Sequence, residues 1–232
     1  MTIAPKSLFA SFLEGLDAAL TDHKGPLLVV IAGHNGAGKS TCYREYLRDA
    51  LAPYLDIHID PDALEKEIRS DWVDAPLSDE EFSIRAAREA TRQRLQHIED
   101  GIAFSMETVL SDPIGDKLGF MAEAVSRGYY VVLLAVGLDS AEKSQKRVDL
   151  RVARHGHAVK PEKIVERYPR VSRNLARAVG LVSAALVVDN STDNFDDDGG
   201  AYFPFAHFVG GKPIGTMEPM PSWWTANFPP TG

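Results

Sequence analysis

The sequence predicts an α/β fold: a mostly parallel, five-stranded sheet with helices on both faces. Three observations predict it. Five short apolar runs alternate with segments of helical periodicity, as expected of strands buried on both sides by crossover helices. The first run leads directly into Gly33-His34-Asn35-Gly36-Ala37-Gly38-Lys39-Ser40, a match to G-x-x-x-x-G-K-[ST] between a strand and a helix. The chain of 232 residues can bury a full core in one large domain.

Each element has its own local signal. Leu8, Phe9, Phe12, Leu13, Leu16 and Leu20 recur at helical spacing, so 7–20 reads as an amphipathic helix. Leu27–Ala32 is an unbroken apolar run and the first strand. A helix follows from Lys39 to about Ala50, then a second strand at Leu55–Ile59. Asp60 caps the next helix, with Pro61 at its first position. Ser78 and Glu81 have capping-box spacing and open a long helix, Asp79 to about Asp100, that Gly101 ends. Ala103–Val109 is the third strand. A helix over about Ile114–Arg127 stops at Gly128, and Tyr129–Val136 is the fourth strand. Ser140 caps a helix to about Arg154. A short polar loop reaches Lys160, and Pro161 opens a helix to about Val182 with Pro169 inside it. Ala185–Asp189 is the fifth strand.

The net charge of −8 repels a phosphate backbone and makes nucleic acid an unfavourable partner. Cys42 is the one cysteine, so no disulfide closes within the chain. No apolar run reaches the roughly 20 residues of a membrane span, and no cleavable leader pattern is present. The expectation is a cytoplasmic protein.

The Gly-rich segment is a P-loop, so the fold class is that of the P-loop NTPases. Its glycines let successive N–H groups turn toward phosphate oxygens, and the following helix adds its positive end. Residues Gly33 to Thr41 are thus expected to bind ATP, with Lys39 on the β and γ phosphates and the Ser40 hydroxyl on Mg²⁺. Residues 1–192 read as a P-loop kinase domain. Residues 193–232, rich in Pro, Gly and aromatics, read as an irregular extension packed on it, with one short hairpin.

Three features favour phosphoryl transfer over a molecular switch. Asp62 follows the second strand, on the ligand rim of an open parallel sheet, where a carboxylate can take a proton from an attacking hydroxyl. Glu107 ends a buried strand on the same rim and can orient substrate or hold the water shell of Mg²⁺. Arg147, Arg151 and Arg154 share a helix face before the polar loop, and Arg167, Arg170, Arg173 and Arg177 follow it. Arginine forks of this kind stabilise charge on a transferring phosphate. His155 and His157 lack metal-ligand company and read as phosphate or substrate contacts.

Several segments together resemble the zeta-toxin family: Ile31–Thr41, Phe104-Ser105-Met106-Glu107-Thr108-Val109-Leu110-Ser111, Gly128-Tyr129, Arg147-Val148 with Arg151-Val152, Gly156-His157-Ala158-Val159, Arg167-Tyr168 and Val188-Asp189-Asn190-Ser191. The resemblance covers about Leu27 to Ser191. Characterised members phosphorylate the 3′-hydroxyl of the sugar in UDP-N-acetylglucosamine, and a small helical antitoxin blocks their ATP site. The resemblance implies Lys39 on phosphate, Ser40 on Mg²⁺ and Asp62 as catalytic base. It implies Glu107 as a substrate-contacting acid with Thr108 beside it, and Arg147 or Arg151 on the transferring phosphate. His157 stands where some members carry a second arginine. The lid is shorter than in plasmid-borne toxins, and the Phe-, Pro- and Trp-rich tail has no counterpart in them. The resulting expectation is an ATP-dependent kinase of a small hydroxyl-bearing metabolite, such as a nucleotide sugar. The alternatives are a polynucleotide-end kinase and a nucleotide-dependent switch that uses Trp223–Trp224 as a partner surface.

Overall fold

The computed structural model of the protein describes residues 5–72, 77–154, 159–192 and 202–228. Helix α1 (Pro5–Asp22) leads into β1 (Leu27–Gly33). The P-loop follows, then α2 (Lys39–Tyr46) and a short α3 (Arg48–Leu51). Next come β2 (His58–Ile59), α4 (Pro61–Asp71), α5 (Asp79–Asp100), β3 (Phe104–Thr108), α6 (Asp116–Ser126) and β4 (Tyr130–Gly137). The chain continues through α7 (Ala141–Ala153), α8 (Pro161–Val179), β5 (Ala184–Asp189), β6 (Phe203–Val209), β7 (Lys212–Thr216) and α9 (Ser222–Thr225).

The sheet has seven strands in the order β2-β3-β1-β4-β5-β6-β7. The first five are parallel, with Ile31 level with Glu107 on one side and with Leu134 on the other. The expected count of five is corrected by β6 and β7, an antiparallel hairpin laid along β5. Its turn is Gly210-Gly211, both at positive φ, as a two-residue hairpin turn requires. Physically the hairpin covers the edge of β5, which would otherwise present unpaired backbone groups to solvent.

Strand β1 is buried throughout. Leu28, Val30 and Ala32 enter one core with Ala90 of α5, Met121 of α6, Leu175 of α8 and both tryptophans of α9. Leu27, Val29 and Ile31 enter the other with Phe12 and Leu16 of α1 and Cys42 of α2. This period of two on an all-apolar strand is why helices must cover both faces. The Ser78–Glu81 capping box forms as expected, and Asp60 caps α4 by accepting the Asp62 N–H at 2.9 Å. The second strand is shorter than expected, and the helix after the P-loop breaks at Leu47, where φ is −122°.

Candidate active site

The parallel strands end on one rim, and the loops there enclose a cavity of about 900 Å³. The P-loop forms one wall. Gly33 must be glycine because a Cβ there would lie 2.0 Å from the Val136 carbonyl oxygen on the neighbouring strand. Gly38 has φ +78°, and its Cβ would meet the Tyr202 hydroxyl at 2.4 Å. That hydroxyl donates to the Gly38 carbonyl at 2.8 Å, and the Asn190 amide donates to the Ala37 carbonyl at 3.0 Å. The loop is therefore held open from below by residues beyond β5.

His34 points away from the cavity. The Leu138 N–H donates to its Nδ1 at 3.2 Å, so the ring proton sits on Nε2, which donates to Ser172 Oγ at 3.0 Å. The ring stacks on Tyr168, with centroids 4.5 Å apart, and meets Trp223 edge-on. Burial, aided by the Lys39 charge, pulls its pKa down to about 3. This histidine is a neutral strut between the P-loop, β4 and α8, and its backbone carbonyl accepts from Lys39.

Lys39 Nζ donates to the carbonyls of His34 at 3.0 Å and Gly33 at 3.4 Å. Burial lowers its pKa, while the charges of Glu107 and Asp62 oppose that shift. The Ser40 hydroxyl donates to Glu107 Oε2 at 2.9 Å. Glu107, 6% exposed at the end of β3, also lies 3.6 Å from His58 Nε2. Burial raises its pKa, but the His58 hydrogen bond, the Lys39 charge and the Ser40 hydrogen bond outweigh this, so it stays ionised. Burial, with the neighbouring Glu107 charge, pushes the Asp60 pKa up.

Asp62 stands in the first turn of α4 and faces the same cavity. Arg151 reaches across from α7 and places Nη1 3.3 Å from Asp62 Oδ2. Arg147 lines the cavity one turn earlier, and its Nη2 donates to the Thr192 carbonyl at 3.1 Å. Asn35, Gly36, Thr41 and Thr108 also line the cavity. Gly33 and Ala37 shape the loop from behind. His157 lies outside the described residues.

Some residues at the site escaped the sequence reading. His58 orients Glu107 while its Nδ1 bonds Ser105 Oγ at 2.8 Å; nothing about a histidine in a short strand points to that role. Tyr202, just before β6, carries no motif. Arg154 and Arg167 line the cavity, so the arginine cluster contributes more than the two members expected. Trp223 and Trp224 are buried, with Trp223 Nε1 donating to Asp189 Oδ1 at 2.7 Å, which removes them as an exposed partner surface.

Comparison with known proteins decides the family. The zeta toxin family model matches residues 13–197. The chain belongs to the zeta toxin family. An adenylate kinase of Thermococcus sibiricus is 22% identical over 179 residues, covering 75% of this chain and 89% of the relative. An uncharacterized protein of Haemophilus influenzae is 30% identical over 140 residues, covering 60% and 91%. Among solved structures, the AvrRxo1-ORF1:AvrRxo1-ORF2 complex with sulphate ions has a TM-score of 0.59 at 17% identity, covering 98% of this chain and 72% of that one. The same complex with ATP gives 0.59 at 17%, covering 97% and 70%. This zeta toxin fold is that of a P-loop NTPase, with the loop at the rim where such proteins meet nucleotide.

Proposed function

We propose that the chain is an ATP-dependent kinase that phosphorylates a sugar hydroxyl of a nucleotide sugar such as UDP-N-acetylglucosamine. The observation that carries this reading is the meeting of Asp62 with Lys39, Ser40 and Arg151 around one cavity. A switch needs the loop and its ion; a carboxylate held by an arginine across the cavity fits a transfer reaction. Membership of the zeta toxin family, the adenylate kinase relative and the ATP-bound structural neighbour all support ATP as donor.

The chemistry follows from the positions. Lys39 exchanges its two carbonyl contacts for phosphate oxygens. The acceptor hydroxyl attacks the γ-phosphorus in line, the bond to the bridging oxygen of ADP breaks, and Asp62 takes the hydroxyl proton. Arg151, with Arg147, stabilises charge on the transferring group. The Ser40 hydroxyl and the Glu107 and Asp60 carboxyls gather hard oxygen donors that fit Mg²⁺. Among the described residues no group of three His, Cys, Asp or Glu side chains could hold a metal by itself, in keeping with an ion held largely by phosphates and water. When bound, Mg²⁺ would neutralise charge on the β and γ phosphates. Family membership also supports a small helical antitoxin as a partner that covers the ATP site.

Incubation with Mg-ATP and a panel of nucleotide sugars, read by mass spectrometry, tests the reading. A gain of one phosphate on UDP-N-acetylhexosamine, absent with Lys39→Ala, is expected. Measurable ATP binding with no phosphorylated sugar would overturn the nucleotide-sugar assignment.

A further inference from the structure

Several carbonyls of the P-loop are held by side chains that belong to other parts of the fold. Ser144, buried on α7, donates its hydroxyl to the Asn35 carbonyl at 2.6 Å. Asn190, buried just after β5, donates its amide to the Ala37 carbonyl at 3.0 Å. Tyr202, buried just before β6, donates its hydroxyl to the Gly38 carbonyl at 2.8 Å. The same carbonyl accepts the Cys42 N–H of α2 at 2.9 Å, so both of its lone pairs are used. Burial pushes the Tyr202 pKa up, which keeps the hydroxyl a donor.

Each of these bonds also fixes the other edge of its peptide. A trans peptide is planar, with its C=O and N–H pointing in opposite directions. The Asn35 carbonyl shares a peptide with the Gly36 N–H, the Ala37 carbonyl with the Gly38 N–H, and the Gly38 carbonyl with the Lys39 N–H. Drawing the three carbonyls toward their donors turns three N–H groups away from those donors. Gly36, Gly38 and Lys39 all line the cavity. The glycines alone do not secure this arrangement. Gly36 and Gly38 sit at φ +69° and +78°, and glycine leaves such a conformation for others at little steric cost. A flipped peptide would present a carbonyl oxygen where a phosphate oxygen has to sit. Donors fixed beforehand need no reorganisation when the anion arrives. Close packing supports the same end: a Cβ on Gly36 would come 3.0 Å from the Ser144 carbonyl oxygen and 3.0 Å from Arg147 Cβ, so the loop lies directly on α7.

We propose that Ser144, Asn190 and Tyr202 are positioning residues that lock the Asn35–Gly36, Ala37–Gly38 and Gly38–Lys39 peptides with their N–H groups toward the phosphates of the bound nucleotide. This rests on the reading of ATP as donor and deepens it. The determinants of phosphate binding extend beyond the motif to α7, the end of β5 and the C-terminal segment. All three residues act through the loop backbone, Tyr202 included, although its ring lines the cavity.

Calorimetric titration with two probes tests this: Mg²⁺ with a non-hydrolysable ATP analogue, and Mg²⁺ with inorganic pyrophosphate, which has the phosphates but no nucleoside. Ser144→Ala, Asn190→Ala and Tyr202→Phe each remove one donor, and melting temperatures are recorded without ligand. Wild type is expected to bind both probes. Each variant should weaken both by the same factor, at least threefold, and Ser144→Ala with Tyr202→Phe should weaken both at least tenfold. A variant that melts lower but binds both probes as wild type does would make that residue structural and overturn its part. Loss of analogue affinity with pyrophosphate binding unchanged would mean contact with the nucleoside and overturn action through the loop. Wild-type affinities in all the variants would overturn the proposal and leave the ATP reading standing. Failure of wild type to bind either probe would overturn the ATP reading and this proposal with it.

Discussion

Lowering the pH from 7 to 5 forces a proton toward His34, and the fold resists it. In the folded protein both ring nitrogens are committed, Nδ1 as acceptor from Leu138 and Nε2 as donor to Ser172. The folded pKa is about 3 against an ordinary 6.5. Below pH 6.5 the unfolded chain therefore binds more protons than the folded one, and stability falls as pH falls, down to about pH 3. At about 1.36 kcal/mol per pH unit, the 1.5 units between pH 6.5 and 5 remove about 2 kcal/mol. Urea denaturation at pH 7, 6 and 5 reads this loss directly. Other groups titrate in the same window, so the decisive quantity is the difference in slope from His34→Gln. That variant is less stable at pH 7, because stacking on Tyr168 is lost, but its stability should fall by about 2 kcal/mol less between pH 7 and 5. Parallel slopes for the two proteins would refute the neutral strut.

Gly38→Ala forces a side chain into positive φ and against the Tyr202 hydroxyl, so nucleotide binding should drop at least tenfold in a fluorescent-ATP titration. Trp223→Phe deletes the donor to Asp189 and leaves space beside Gly137; the lost charged hydrogen bond and the void should together cost about 2–4 kcal/mol in urea denaturation. Glu107→Gln removes the charge that faces the Ser40 hydroxyl, so the Mg²⁺ concentration giving half-maximal transfer should rise about tenfold.

The legible parts of this protein are those with local causes. Leu27–Ala32 reads as a buried strand because every residue is apolar. The Ser78–Glu81 box and the Asp60-Pro61 start are visible because capping is short-range chemistry. The P-loop is readable because its function constrains its backbone. One short hairpin is legible in the tail, with Gly210-Gly211 as its turn signal, but its place in the main sheet beside β5 is not, because Pro204 and the flanking Gly and Pro residues obscure the strand. The site divides along the same line. Asp62 and Glu107 fall on the rim by strand counting alone. The approach of His58 to Glu107 and the Tyr202 contact beneath the P-loop arise from packing between elements distant in sequence, and no local pattern encodes them. His34 shows the opposite failure: it lies inside the motif, yet its side chain serves the core.

The role of Asp62 is tested most directly by comparing Asp62→Asn with wild type in two measurements on the same samples, Mg-ATP affinity and phosphoryl transfer to the acceptor. The asparagine keeps the size and the position in the first turn of α4 but cannot accept the proton. Affinity within about twofold of wild type, with transfer reduced by about 10²–10⁴, is the predicted result. Transfer at the wild-type rate, with ATP bound as before, would contradict the assignment of Asp62 as the base.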